Sequence, residues 1–413
     1  MTQPFPRTAF WTYPLAFLGA HLAFMPLFVL LLPRRVEALA PESTATALSW
    51  LLLTGGLVAG IANVSAGAIG DRWIIRFGNR RGLIAIGAGM LVGAYLVFAF
   101  ASTLPELFGA LIFFQLSLNC CFSPLGALLA DHFPDAVKGR LGGLLTAALP
   151  ASSLLVLPIA WLFPEDSPGA FVLIGGLILV CVLPLLTMWS LGPVIHTSSS
   201  SIIANSQSLR IRPSRTLLFV DFSLAWLSRL LIQTGAAFVI GYLYLYITVT
   251  QLSQAQWRSA GASEILAGLT APAAILAIAG TLFAGLISDR VKSRRLPLAV
   301  FAGLFAVGMG TLASSTELVW FFIGYGVLQA ALAAYLSVDT ALIAQLVSGH
   351  ARRGVLLGVM NLSNTFPSVI VPSIALMAFT DNTIAGILAL MFAGFALAAI
   401  LAGGLIMMIR SVR

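Results

Sequence analysis

Gly67-Ala68-Ile69-Gly70-Asp71-Arg72, closed by Arg76, Gly78 and the pair Arg80-Arg81, is a short charged stretch between two long apolar runs. It occurs twice. The second copy reads Gly285-Leu286-Ile287-Ser288-Asp289-Arg290, then Lys292 and Arg294-Arg295. Its glycine and Asp-Arg pair lie 218 positions after the first, and its closing arginines 214, because the second loop is four residues shorter. The agreement runs past the hinge: Leu128-Leu129-Ala130 returns 214 residues later as Leu342-Ile343-Ala344, each before a charged loop. A chain of 413 residues is therefore written twice.

Composition says what surrounds it. Apolar residues make up 59% and charged residues 9%, whereas soluble domains carry about 25% charge. Runs of about 20 apolar residues cross a bilayer as helices, and in lipid a helix satisfies its own backbone. The alternating segments of about ten residues that a membrane β-barrel needs are absent. The expected fold class is an all-α polytopic membrane protein of twelve transmembrane helices.

The runs are read as Ala9–Leu32, Thr46–Ile69, Gly82–Ala101, Pro105–Ala130, a fifth ending near Phe163, and Gly169–Leu191. The second half gives Thr216–Ile247, Ala262–Ile287, Leu296–Ser314, Leu318–Val347, Arg353–Phe379 and Thr383–Ile409. Residues 192–215, rich in Ser, read as a flexible linker between a bundle at 1–191 and a bundle at 216–413. Six spans plus six in parallel repeat is an alternating-access architecture. The first apolar run is too long for a signal-peptide core and reads as a permanent span.

A net charge of +8 could suggest nucleic acid, but its distribution points to topology. Eighteen basic residues fall in loops of one side and three (Arg34, Arg35, Arg258) on the other, with Arg229 inside a span. The positive-inside rule then puts both termini in the cytoplasm. The expected location is the cytoplasmic (inner) membrane, with the lipid bilayer as partner and no nucleic acid. Cys120, Cys121 and Cys181 lie within spans without metal-type spacing, and read as structural thiols. No phosphate loop, nucleophile elbow or metal motif appears, so neither an enzyme nor a cofactor or metal is expected. Glu165-Asp166, in an outer loop without basic partners nearby in sequence, reads as solvated.

With the hinge, its repeat and twelve spans together, the chain resembles the major facilitator superfamily over essentially its whole length. That resemblance implies two six-helix bundles related by a pseudo-two-fold axis. It also implies a cytoplasmic gate built from Gly67, Asp71, Arg72, Arg80 and Arg81 and from Gly285, Asp289 and Arg290. Asp71, ending the second span, would face the start of span 11, and Asp289 the start of span 5. A helix N-terminus favours a carboxylate by about 0.3–1 kcal/mol. Ala130-Asp131-His132-Phe133-Pro134, Leu227-Ser228-Arg229, the stretch Tyr335–Leu342 and Leu357-Gly358-Val359-Met360-Asn361 are similar to bacterial relatives of the sucrose and glycoside–pentoside–hexuronide cation symporters. The Gly-x-x-x-Gly-Pro-x-x-Gly-Gly pattern of drug antiporters is missing at Gly142–Pro150.

Ionisable groups inside the bilayer are functional candidates by their insertion cost. Arg229 lies about 20 Å into span 7 and Asp339 about 12 Å into span 10, at about 1.5 Å per residue. Spans 1, 4, 7 and 10 line the cavity of the superfamily, so the two are expected to pair. Asp339 is then the proton acceptor, Arg229 its partner or a substrate contact, and a purely structural pair the competing reading. Asp221, near the interface of span 7, is a further coupling candidate, or complements its helix N-terminus. Substrate candidates are His21, Gln115, Asn119, Arg229, Gln233, Tyr325, Tyr335, Asn361 and Asn364. Gln115, Asn119 and Ser123 share one helical face.

These residues point to a secondary active transporter of a small organic solute, coupled to a cation, with H⁺ the first expectation. Symport of a sugar or glycoside-like solute stands against export of a drug or metabolite by antiport. A non-transporting receptor or assembly factor of the same fold is the remaining alternative. One chain holds both halves and could work as a monomer.

Overall fold

The computed structural model describes residues 8–133, 135–188, 215–250, 261–291, 293–315, 317–347, 353–379 and 384–410. Among them are twelve membrane-length helical spans and no strand. They are α1 (Ala9–Leu39), α2 (Thr44–Phe77), α3 (Arg81–Phe100), α4 (Leu104–His132), α5 (Asp135–Ser153 with Val156–Leu162) and α6 (Pro168–Met188). The second set is α7 (Arg215–Thr250), α8 (Ala262–Val291), α9 (Arg295–Ser314), α10 (Leu318–Leu346), α11 (Arg353–Thr365 with Pro367–Ala378) and α12 (Ile384–Met407). Of the linker read at 192–215, residues 192–214 lie outside the described residues, and Arg215 already belongs to α7.

The repeat offsets land on helix ends. Adding 218 to Thr44 gives Ala262, and adding 214 to α3 and α4 gives the bounds of α9 and α10 to the residue. Within the first set α1 packs on α4, α5 and α6, and α3 on α4 and α6. Within the second α8 packs on α10, and α9 on α10 and α12. Between the sets α2 meets α11 and α5 meets α8, which are equivalent pairs under the repeat. Apolar side chains such as Ile61, Val64, Leu282 and Leu390 stay exposed on the outer faces, as helices immersed in hydrocarbon require.

Several boundaries differ from the sequence reading. The first span does not end at Pro33. After Pro26 the helix widens into a π-turn over Leu27–Leu31 and continues to Leu39, so Arg34 and Arg35 are buried rather than in an outer loop. Arg34 donates to the carbonyls of Phe163 (2.7 Å) and Glu165 (3.1 Å) at the end of α5. Arg35 reaches Ala101 O (3.3 Å) at the end of α3 and stacks 5.2 Å above Phe171. Carbonyls at helix C-termini have no intrahelical donor and carry partial negative charge, which suits a guanidinium. Asp166 is not simply solvated: it lies 3.0 Å from Arg35, and burial pushes its carboxyl above the ordinary range, with Arg35 and Arg34 opposing the shift.

Asp71 does not end α2 either. The helix runs six residues further to Phe77 and stops at Gly78, whose φ of 74° is the left-handed cap that a side chain would strain. Prolines interrupt both fifth helices of the repeat: α5 breaks at residues 154–155 between Pro150 and Pro158, and α11 at Phe366 before Pro367.

Candidate functional site

A cavity of about 360 Å³ lies between the two sets of helices. From the first set come Asn63 on α2 and Gln115 and Asn119 on α4. From the second come Gln233 and Tyr242 on α7 and Asn364, Thr365 and Ser368 on α11. Phe24 and Phe28 of α1 supply aromatic wall. Four expected residues, Gln115, Asn119, Gln233 and Asn364, therefore share one space. Asn63, Thr365, Ser368 and Tyr242 join them unanticipated, although an Asn inside an apolar span was itself a signal.

The amides are ordered by their neighbours. Asn119 donates to Gln115 O one turn back (2.9 Å) and accepts from Asn63 (3.2 Å), tying α2 to α4. Among the described residues the side-chain amide of Gln115 makes no hydrogen bond, and it lines the cavity.

Beside this cavity, Arg229 on α7 and Asp339 on α10 form an ion pair at 2.5 Å. The Asp339 side chain is fully buried and that of Arg229 is 12% exposed. The pair is wired to the cavity wall. Arg229 Nε donates to Asn364 Oδ1 (3.0 Å), which also accepts from Gln233 (2.9 Å), while Asn364 donates to Asn361 Oδ1 (3.0 Å). Thus Asn361 stands behind Asn364 rather than in the wall. The second oxygen of Asp339 is buried and without a hydrogen-bond donor among the described residues.

Other expected substrate residues lie elsewhere. Tyr335 is fully buried, hydrogen-bonded to Ser228 (2.8 Å), whose hydroxyl also reaches Ala402 O of α12 (2.9 Å). Tyr325 is buried and accepts from Gln329 one turn along (2.7 Å). His21 packs against Phe17 and Phe122 at 4.9 and 5.2 Å, its Nδ1 2.9 Å from Phe17 O, outside the cavity wall. Asp221 is buried near the start of α7 and accepts the Arg410 backbone N–H at 3.2 Å, holding the end of α12. Arg295 donates to Ile409 O at the same end.

At the hinge, Arg80 spans two carboxylates: its Nε is 2.7 Å from Asp131, and its Nη2 is 3.6 Å from Asp71. Asp71 is 77% exposed, and among the described residues its partner is Arg80 rather than the start of α11. Gly67 faces Ser123 at the limit of contact, and Arg72, Arg81 and Arg290 are exposed. The side chains at Gly285 and Asp289 lie outside the described residues. On the opposite side the sets are tied together. Arg34 donates to Ser263 (3.1 Å), Tyr244 to Glu37 (2.6 Å) and Tyr242 to Ser49 (2.8 Å).

The family model of the Major Facilitator Superfamily matches residues 12–372. The chain belongs to this superfamily. Its fold is similar to that of a D-xylose–proton symporter, at 15% identity over 98% of each chain with a TM-score of 0.74. It is also similar to a bacterial homolog of the human lysosomal transporter Spinster, inward-facing and occupied, at 14% identity over 98% and 97% of the two chains with a TM-score of 0.67. No curated protein matches the chain by sequence. Membership makes this a multi-pass membrane transporter rather than an enzyme.

Proposed function

We propose that the protein is a proton-coupled symporter of a neutral, hydroxylated solute such as a sugar or glycoside, working by alternating access. The observation that carries this reading is the hydrogen-bonded chain from buried Asp339 through Arg229 to Asn364 and Gln233 in the cavity wall. Protonating Asp339 removes the charge that holds Arg229, and Arg229 orients the Asn364 amide that faces solute. Proton and solute are then linked through one shared side chain, as a coupled carrier requires. Amides without a formal charge in the wall suit hydroxyls rather than ions. The D-xylose–proton symporter of the same fold supports the choice.

In this reading the hinge side faces the cytoplasm, in keeping with the basic loops, and the membrane is the cytoplasmic (inner) one. Exposed Asp71 and the hydrogen bonds on the far side correspond to a molecule closed outside and open within. Asp71 and Asp289 are gate residues that dock on helix N-termini in the opposite state. The domain division is likewise proposed as 1–191, 192–215 and 216–413, with one chain sufficient for transport. Tyr335 and Asp221 are positioning residues, which shape the helices around the pair without touching solute.

The test is uptake by proteoliposomes under an inward proton gradient, screening monosaccharides, disaccharides and amphipathic drugs. Gradient-driven accumulation of a sugar supports the reading. Extrusion of drugs with no sugar uptake would replace symport by antiport.

A further inference from the structure

A second cavity of about 100 Å³ adjoins the first, and the two share the walls Leu149, Ala236, Ile240, Leu332 and Leu336. Their chemistry differs. The first offers amides with uncommitted groups: the Gln115 side chain makes no hydrogen bond among the described residues, and Asn63 commits one N–H to Asn119. The second is built from Met25, Pro150, Ala273, Ala274, Ala277 and Leu328. Its hydroxyls donate within their own helices, and its one amide, Gln329, commits one N–H. Thr146 donates to Gly142 O (2.8 Å), Ser153 to Pro150 O (2.7 Å), Thr281 to Ala277 O (3.0 Å), and Gln329 to the Tyr325 hydroxyl (2.7 Å). Apart from the rest of the Gln329 amide, the second space has little to offer a polar group, and burying one there without a partner is costly.

We infer that the solute is amphipathic, its hydroxylated head held by the amide cavity and a short apolar substituent by the smaller one. The inference rests on the transporter reading and narrows its substrate to glycosides or similar solutes with a small hydrophobic aglycone. A cavity of about 150 Å³ holds benzene, or about 25 Å³ per carbon, so about four carbons fit.

The experiment is binding to the full chain in lipid nanodiscs, since alkyl-glycoside detergents would compete. The probes are D-glucose and D-xylose with their methyl, propyl, butyl and hexyl β-glycosides. Affinity is expected to rise about fourfold per methylene, from about 0.8 kcal/mol each, and to level near four carbons. Ala277→Leu, which fills the smaller cavity, is expected to abolish that rise while leaving the parent sugar's affinity in place. Ala274→Val is a milder second variant, and the wild-type series stands without either. Parent sugars that bind while their alkyl glycosides bind no tighter would overturn this inference and leave the sugar reading intact. A rise that continues unchanged from butyl to hexyl, or survives Ala277→Leu, reports lipid partitioning and also overturns it. No binding by any probe would overturn both.

Discussion

Replacing Asp339 by Asn tests the ion pair and its role in coupling at once. The Asp339 side chain is fully buried, Arg229 is 12% exposed, and their N–O distance is 2.5 Å. Two unit charges about 4 Å apart at an effective dielectric of about 20 attract by about 4 kcal/mol. Removing one partner of a buried pair costs about 3–5 kcal/mol, because the other charge is left uncompensated. Asparagine returns part of this by offering a carbonyl to Arg229, a charged hydrogen bond of about 1.5 kcal/mol. The expected loss is therefore about 2–3 kcal/mol for Asp339→Asn and about 3–5 kcal/mol for Arg229→Met. The double variant should lie near wild type, which corresponds to a coupling of about 5–8 kcal/mol between the two sites. The assay is thermal unfolding followed by a thiol-reactive dye, since Cys121 and Cys181 are buried until the helices part. The same proteins in liposomes should lose gradient-driven accumulation in Asp339→Asn yet keep solute exchange without a gradient. Single variants as stable as wild type with no coupling between them would refute the energetic argument. Concentrative uptake by Asp339→Asn would refute its role in coupling.

Other expectations follow from contacts elsewhere. A Cβ on Gly56 would meet Ser368 O at 2.3 Å, a clash with backbone where α2 crosses α11. Gly56→Ala is therefore expected to push the bundles apart, reducing transport at least tenfold and weakening a cross-link between cysteines at positions 49 and 242; full activity would sink the idea. Tyr244→Phe removes a 2.6 Å hydrogen bond to Glu37 worth about 1.5–3 kcal/mol, so the ratio of closed to open molecules on that side should fall at least tenfold in a spin-label distance measurement. Asp166 has a raised pKa, so its protonated form favours the folded state, and its contribution is lost as pH rises through the folded value. The wild-type melting temperature minus that of Asp166→Asn should therefore grow as pH falls below neutral; a difference that shrinks would reverse the sign argued here.

Much of the fold was legible because lipid imposes simple rules. Length, apolarity and the repeat located α3, α4, α9 and α10 almost to the residue. The end of α1 was misread because Pro33-Arg34-Arg35 looks like a stop, and nothing local reveals that carbonyls of α3 and α5 await those guanidiniums. Asp166 was misread for the complementary reason, its partner being 131 positions away. Within the site, Arg229 and Asp339 were legible because charge in hydrocarbon is costly, and a long arginine side chain spans the difference in their depths. Tyr335 and Tyr325 looked equally suitable, yet helix rotation turns both into packed interior. Asn63 and Ser368 were overlooked because one polar residue in a long span does not declare which neighbour it faces.

By itself, then, the sequence determined the solvent of the chain, the number and approximate ends of its helices, their duplication, and which charges had to find a partner in the membrane. These follow from the cost of placing polar groups in lipid, which each segment meets on its own. The tertiary structure decided which faces meet. It selected the amides that share a cavity, turned Tyr335 and Asp221 into helix ties, and buried Arg34 and Arg35 against helix ends. Those outcomes depend on rotation and crossing of helices far apart in the chain, where side chains near one another in sequence can point to different neighbours.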